Sequence, residues 1–253
     1  MTISPVIHNS HIQQHSLWQS VGLHLLPGAL LTIVFIALMP TVTAIGFPPL
    51  LAFLIAALFV ALPLELGYLL YQGRKLSRRF VLEGIVLFRD AIPFWQYFVL
   101  IPLMLVLATV LLNVALPLGN ILTTNVFFWL PSWFFFSNVA QYTQYSQPVL
   151  VVTFSLRLIL LGIALPIVEE LYFRGYLLPR ISRFGRWSPL INGLLFTLYH
   201  FWQPFDYPII FAVVLPLAYT VAWKRNIYLG IISHVAVNVL GALGPLALIL
   251  GMG

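Results

Sequence analysis

The chain has 253 residues, of which 61% are hydrophobic and only 7% are charged. A soluble domain of this length carries roughly 25% charged residues on its surface, so the composition excludes a water-soluble fold. The formal charge of +6 does not indicate nucleic-acid binding, because nearly all Lys and Arg residues fall in three short clusters between apolar runs. The absence of cysteine excludes disulfides, thiolate metal ligands and a cysteine nucleophile.

Long apolar runs predict an all-α fold, a polytopic bundle of transmembrane helices, since each crossing of a ~30 Å hydrocarbon core takes about 20 apolar residues. Residues 1–20 are polar, with His8, His11 and His15, and predict a short N-terminal tail. Membrane helices without a recognised motif are expected over 21–147, and a second helical unit over 148–249. The predicted spans are 22–44, 49–71, 93–117, 148–173, 189–203, 208–223 and 226–249.

The stretch 121–136, rich in Phe and Trp, is compatible with a crossing or with an interfacial position. Lys and Arg concentrate on the cytoplasmic side of membrane proteins. If 121–136 does not cross, the three basic clusters and the N-terminus share one side, and if it crosses, the first cluster opposes the other two. We therefore predict seven crossings, with eight as the alternative. The clusters are residues 74–79 with Arg89, residues 180–186, and Lys224 with Arg225.

Ionisable side chains inside the hydrocarbon region are costly and usually mark function or mutual pairing. Outside the motifs described next, the predicted spans contain three of them. His24 is expected at the interface, and Glu65 and Arg157 are assigned to structural roles.

The densest polar group in the spans is Glu169-Glu170-Leu171-Tyr172-Phe173-Arg174. Glu170 and Arg174 are four residues apart with the acid first, so they can pair on a helix. Glu169 projects about 100° away and has no such partner. Two adjacent carboxylates, one neutralised and one free, can take structural and catalytic roles, whereas the simpler interpretation is a salt bridge at a helix end.

Two further pairs of polar or aromatic residues lie four apart on later helices. Phe196 and His200 end a short span, and His234 and Asn238 share one face of the last helix. Each pair alone is as typical of an interhelical hydrogen bond as of a catalyst. Together with Glu169 they bring carboxylate, imidazole and carboxamide into apolar spans, which predicts one polar cavity able to hydrolyse an amide.

The three motifs, Glu-Glu-x-x-x-Arg, Phe-x-x-x-His and His-x-x-x-Asn, in this order on separate helices, resemble the CPBP family of CAAX-processing and bacteriocin-processing proteases, also called Abi. The family includes the type II CAAX prenyl endopeptidases, and the resemblance covers roughly residues 148–240. It implies an intramembrane endopeptidase whose site opens to the cytoplasm. By residue, Glu169 with His200 would activate water, and His234 with Asn238 would stabilise the oxyanion. Supporting residues would be Glu170, Arg174 and Phe196.

Family members have also been described as metalloproteases, which would make Zn a cofactor held by Glu169, His200 and His234. Two His and a carboxylate can complete a catalytic zinc site, yet the same groups work without metal, and we favour the metal-free chemistry. The partners implied are membrane lipids and a peptide or prenylated-protein substrate, and the localisation implied is the plasma membrane. Members linked to bacteriocin maturation or self-immunity leave the substrate open. Alternative functions are a proton-coupled carrier and an inactive membrane scaffold.

Overall fold

The structure is a computed structural model that describes residues 12–136 and 139–251. His8 and His11 of the predicted tail lie outside this part of the chain. Within it, every regular element is helical, and the β geometry is limited to one isolated bridge between Arg89 and Asn226. The predicted all-α fold is confirmed.

The helices follow the predicted spans closely. In chain order they are α1 (Leu17–Ala44), α2 (Pro49–Ser77), α3 (Phe94–Val126), α4 (147–177), α5 (Ser188–Tyr199), α6 (Tyr207–Lys224) and α7 (Ile227–Ile249). Six helical runs in the described residues are long and apolar enough to cross a membrane, where α4 and α5 count as one run across a kink at Gly185. The count of seven or eight crossings stays a prediction.

Two predicted boundaries are wrong. Helix α1 begins at Leu17, inside the predicted tail, because the Ser16 side chain caps it by accepting a hydrogen bond from the backbone N–H of Gln19 at 3.0 Å. Helix α5 ends at Tyr199, so the predicted span 189–203 is only a 12-residue helix. At 1.5 Å per residue it is about 18 Å long, roughly three fifths of a ~30 Å hydrocarbon core.

The aromatic segment 121–136 does not form a helix of its own. Helix α3 continues to Val126, and the chain then runs through turns and a short 3-10 helix, Ser132–Phe134. The rings of Trp133, Phe134 and Phe136 pack edge-on around Phe35 of α1, with centroids 5.5–5.7 Å apart. These contacts favour the interfacial position of this segment.

The N-terminal segment and the three basic loops meet at one end of the bundle, which we call the basic end. The backbone N–H of His15 donates to the Arg180 carbonyl at 2.8 Å, and the Arg180 guanidinium donates to the Ile85 carbonyl at 3.3 Å. Arg225 pairs with Asp90 at 2.8 Å. These contacts bring the N-terminal segment and the three basic loops together, as expected if 121–136 does not cross.

The outer surface of the bundle is apolar. On α3, Phe98 is 67% exposed and Val114 is 69% exposed. Soluble proteins rarely expose contiguous apolar faces of this kind, whereas lipid tails cover them. The chain is an integral membrane protein with several apolar helices.

The N-terminal helices pack directly against the helices that carry the three motifs. The Tyr172 hydroxyl of α4 donates to the Leu23 carbonyl of α1 at 2.8 Å. Gly28 of α1 faces the backbone of Tyr199 so closely that a Cβ at position 28 would overlap the Tyr199 carbonyl oxygen. This close approach lets α1 support the end of α5, where His200 lies.

Candidate active site

Helix α4 carries the two carboxylates of the first motif on a widened helical segment. π-helical turns run from Leu158 to Ala164 and from Glu170 to Leu177, on either side of Glu169. Each π turn inserts extra backbone into the helix, and such insertions are frequent at functional sites. The backbone of α4 therefore departs from regular α geometry around the predicted catalytic residues.

Glu170 is the centre of a buried ionic network. Its Oε1 lies 3.0 Å from Nη1 of Arg174 and 2.9 Å from Nδ1 of His234. Both Glu170 and Arg174 are fully buried. The other carboxylate oxygen lies against Gly230 of α7, where a Cβ would approach it to 2.6 Å. The Glu170–Arg174 pair that the spacing predicts is present, and the contact with His234 also ties α4 to α7.

Glu169 points elsewhere and takes a different environment. Its Oε2 lies 3.8 Å from Nε2 of His234, which is longer than a hydrogen bond, and no ion pair joins it to Arg174 in the described residues. Its side chain lines a cavity in the bundle. The two neighbouring carboxylates are therefore distinguished as the sequence predicts, one paired and one open to a cavity.

His200 lies at the point where α5 ends, and its own side chain helps to end the helix. Its Nδ1 bonds to the carbonyl of Phe196 at 2.8 Å, the carbonyl that the backbone N–H of His200 would take in a continuing α-helix. That N–H instead reaches Thr197 at 3.1 Å. Because a carbonyl only accepts, Nδ1 carries the proton and Nε2 is left as an acceptor.

Phe196 supports the site through its ring as well as its carbonyl. The Arg174 guanidinium lies over this ring, 4.0 Å from the centroid, and the His200 ring packs edge-on at 4.8 Å. A cation over an aromatic face is attracted by the ring quadrupole, more strongly when both are buried. Phe196 therefore connects the Arg174 charge to the His200 ring.

Asn238 is fixed by a hydrogen bond to the widened segment of α4. Its Nδ2 donates to the Leu161 carbonyl at 3.1 Å. The amide nitrogen has two hydrogens, so this bond leaves one donor for another acceptor. Asn238 and His234 are four residues apart on α7 and line the same cavity.

One cavity of about 370 Å³ collects the predicted catalytic side chains. The predicted residues that line it are Glu169, Phe196, His200, His234 and Asn238. Glu170 and Arg174 lie behind this wall and act on it through His234 and Phe196. The remaining wall is mostly apolar, with aromatic and aliphatic residues from α2, α3, α6 and the 127–136 segment. The predicted convergence of the three motifs is thus present in the structure.

The predicted metal ligands do not form a metal site in this geometry. Among the described residues, no group of three His, Cys, Asp or Glu side chains is arranged to hold a metal ion. His234 holds Nδ1 on Glu170 and His200 holds Nδ1 on a backbone carbonyl, which leaves Nε2 of each ring for another partner and is also the way metal-binding histidines are held. As arranged in this structure, Glu169, His200 and His234 do not form a three-ligand zinc centre.

The structure contradicts the expectation for His24 and gives new neighbours to Arg157 and Glu65. His24, expected at the interface, is fully buried, and its Nε2 accepts a hydrogen bond from the Asn192 side-chain amide at 3.0 Å. Arg157 lines the active-site cavity, although it was assigned to structure. Glu65 accepts a hydrogen bond at 2.9 Å from Tyr199, the neighbour of His200. The sequence signal for Glu65 was its charge in an apolar span, which did not indicate its neighbours.

The fold and the site define a polytopic helical membrane protein with a buried site of carboxylate and imidazole side chains. Residues 151–240 match the family model described as type II CAAX prenyl endopeptidase Rce1-like. The match covers the segment that carries the three motifs, and it confirms their resemblance to the CPBP family. Searches of curated proteins and of solved structures gave no match.

Proposed function

We propose that this protein is an intramembrane endopeptidase that hydrolyses a peptide bond near the cytoplasmic membrane surface with water activated by Glu169. The observation that carries the proposal is the single cavity lined by Glu169, His200, His234 and Asn238. It brings together a base, a second acceptor for water and two oxyanion donors, which is the set of groups that amide hydrolysis needs.

Glu169 is the general base in this proposal. Its carboxylate takes a proton from water as the water oxygen attacks the carbonyl carbon of the scissile bond. Nε2 of His200 accepts the second water hydrogen, because Nδ1 is occupied by the Phe196 carbonyl. The C–N bond then breaks, and the leaving amine receives the proton from Glu169. General acid–base catalysis of this kind contributes about 10²–10⁴-fold.

His234 and Asn238 stabilise the oxyanion of the tetrahedral intermediate. The bond from Nδ1 of His234 to Glu170 fixes the ring, and Nε2 donates when the ring carries both protons. Asn238 supplies the amide hydrogen that is not used on Leu161. Loss of one such donor typically costs about 10²–10³-fold in kcat.

The depth of the site supports access from the basic end. His234 follows the start of α7 by seven residues, and Glu169 precedes the end of α4 by eight. At 1.5 Å per residue, both lie about 10–12 Å from the basic end. Because basic loops face the cytoplasm in most membrane proteins, the site would open towards that side. A plasma-membrane location is part of the same proposal.

The substrate we propose is a peptide bearing a lipid chain. Apolar side chains form most of the cavity wall, which suits an acyl or prenyl group better than a polar peptide alone. The family match, which describes prenyl endopeptidases, supports a prenylated peptide. Processing of an unmodified bacteriocin or immunity-related peptide is the alternative within the same chemistry.

The test is cleavage of quenched fluorescent peptides, prenylated and unprenylated, by purified protein in detergent. We expect wild type to cleave the prenylated set and Glu169→Gln to be inactive while it still inserts and purifies. Glu83→Gln is the matched control, because it removes an exposed carboxylate outside the site. An active Glu169→Gln would overturn the proposal, and activity on unmodified peptides alone would favour bacteriocin-type processing.

A chelator arm of the same assay tests the metal question. The metal-free reaction predicts equal rates with and without chelator. Loss of activity with chelator and its return on adding Zn²⁺ would instead assign zinc to the site and replace the metal-free mechanism.

A further inference from the structure

We propose that Glu65 is a positioning residue that keeps the Tyr199 hydroxyl from hydrogen bonding to the catalytic carboxylate Glu169. The inference rests on the proposed function, in which Glu169 is the base. Glu65 belongs to α2, outside the matched residues 151–240, and outside all three motifs.

Burying the carboxylate of Glu65 inside the helical bundle costs free energy. It is fully buried, and only one of its oxygens has a hydrogen-bond partner among the described residues. A buried carboxylate satisfied at one oxygen is less favourable than an apolar side chain of similar size. Its presence inside the membrane therefore points to a role that an apolar residue does not supply.

Tyr199 connects Glu65 to the active site. Its hydroxyl donates to Oε1 of Glu65 at 2.9 Å, and it also lies close enough to the Glu169 carboxylate to interact with it. A tyrosine hydroxyl has a single hydrogen, so it can donate to only one of the two carboxylates at a time. Donation to Glu65 leaves the lone pairs of Glu169 free for water.

The ring of Tyr199 is held in place, so the hydroxyl hydrogen is the part that can turn. The residue is fully buried, and its ring packs against Phe173 at 5.0 Å, His200 at 5.0 Å and Trp202 at 5.2 Å. If Glu65 could no longer accept, the hydroxyl would rotate to Glu169. A hydrogen bond to a carboxylate stabilises its charged form and makes it a weaker base.

The experiment compares kcat and KM of four purified, folded variants on the peptide substrate. Glu65→Leu removes the acceptor, and we expect kcat to fall about 10- to 100-fold while KM stays unchanged. This factor corresponds to the free energy of one hydrogen bond to a charged group. Glu65→Gln keeps a carbonyl acceptor and is expected to stay within about threefold of wild type.

The double variant Glu65→Leu/Tyr199→Phe gives the sharpest outcome. It removes the hydroxyl that would turn to Glu169, so we expect kcat to return towards wild type. A purely structural role of Glu65 predicts that Glu65→Leu lowers thermal stability but leaves kcat of the folded protein unchanged. That result, or a double variant as slow as Glu65→Leu, would overturn the inference.

The fourth variant, Glu169→Gln, separates this inference from the proposed function. If Glu169→Gln is active, the proposed base is wrong and the role of Glu65 fails with it. If Glu169→Gln is inactive while Glu65→Leu keeps full kcat, only the role of Glu65 fails.

Discussion

Gly230 offers a test of the ionic network from the backbone side, without removing any catalytic group. A Cβ at this position would lie 2.6 Å from Oε2 of Glu170, whereas ordinary contact of a Cβ begins at 3.4 Å. In Gly230→Ala the carboxylate must therefore retreat by about 0.8 Å, because van der Waals repulsion rises steeply below contact distance. Because the carboxylate is rigid, its other oxygen moves away from Nδ1 of His234, now 2.9 Å distant.

The expected consequence is a slower reaction with an intact fold. A bond stretched from 2.9 Å towards 3.7 Å no longer holds the His234 ring, and misplacement of a catalytic group by about 1 Å costs roughly 10²-fold in rate. We expect kcat of Gly230→Ala on the fluorescent peptide to fall by that factor with little change in KM. The assay is run on protein shown to be monodisperse in detergent.

Two further variants show whether the effect of Gly230→Ala comes from the contact with Glu170. Gly241→Ala lies on the same helix, has nothing within 4 Å of its new Cβ, and should keep full activity. Val221 also faces Gly230, at 2.9 Å from the added Cβ, so Gly230→Ala/Val221→Ala removes that second clash. If the double variant regains activity, Val221 and not Glu170 transmits the effect. Full activity of Gly230→Ala itself would refute the reasoning.

Three further outcomes follow from the structure. Arg174→Met leaves Glu170 as a buried charge without its guanidinium partner at 3.0 Å, so the free energy of unfolding should fall by about 3–5 kcal/mol. The measurement is thermal unfolding in detergent, with Arg79→Met in the exposed loop as the control. Burial, with the nearby charge of Arg180, lowers the pKa of His15 to about 4 from 6.5, so the folded protein keeps this ring neutral while the unfolded chain takes up a proton. Stability present at pH 7 should therefore be lost progressively as pH falls from 6.5 towards 4, and His15→Gln should show a shallower fall in melting temperature over that window. Single cysteines at positions 128 and 83, introduced into the cysteine-free chain in place of Phe128 and Glu83, should react with an impermeant maleimide from opposite sides of the membrane. Reaction of both cysteines from the same side would contradict the interfacial position of 121–136.

The helices and the motif residues were readable from sequence because their signals are local. Apolar runs long enough for the bilayer gave spans whose ends mostly fall within a few residues of the helices. The Glu170 to Arg174 spacing gave an ion pair that needs only helix geometry. The end of α5 was missed because it depends on the His200 side chain competing for the Phe196 carbonyl, a contact that hydropathy does not register.

Contacts between distant segments were decided by the tertiary structure alone. The spacing of four residues puts Asn192 on the same helix face as Phe196, yet its side-chain amide donates to His24 of α1. Glu65 was assigned to structure, yet Tyr199 joins it to the neighbourhood of Glu169. In both cases the partner lies more than a hundred residues away in the chain, so no spacing rule applies to the pair.

By itself, then, the sequence determined the membrane class, the helix positions and the identity of the paired and unpaired carboxylates, because each follows from the periodicity and composition of one segment. The convergence of Glu169, His200, His234 and Asn238 on one cavity followed from the scarcity of polar groups in the spans. Only the packing of α1 and α2 against α4 and α5 decided that Glu65 meets Tyr199 next to His200. The physical reason is that buried polar groups in a membrane must find partners wherever the helices meet, and those meetings are set by the whole bundle.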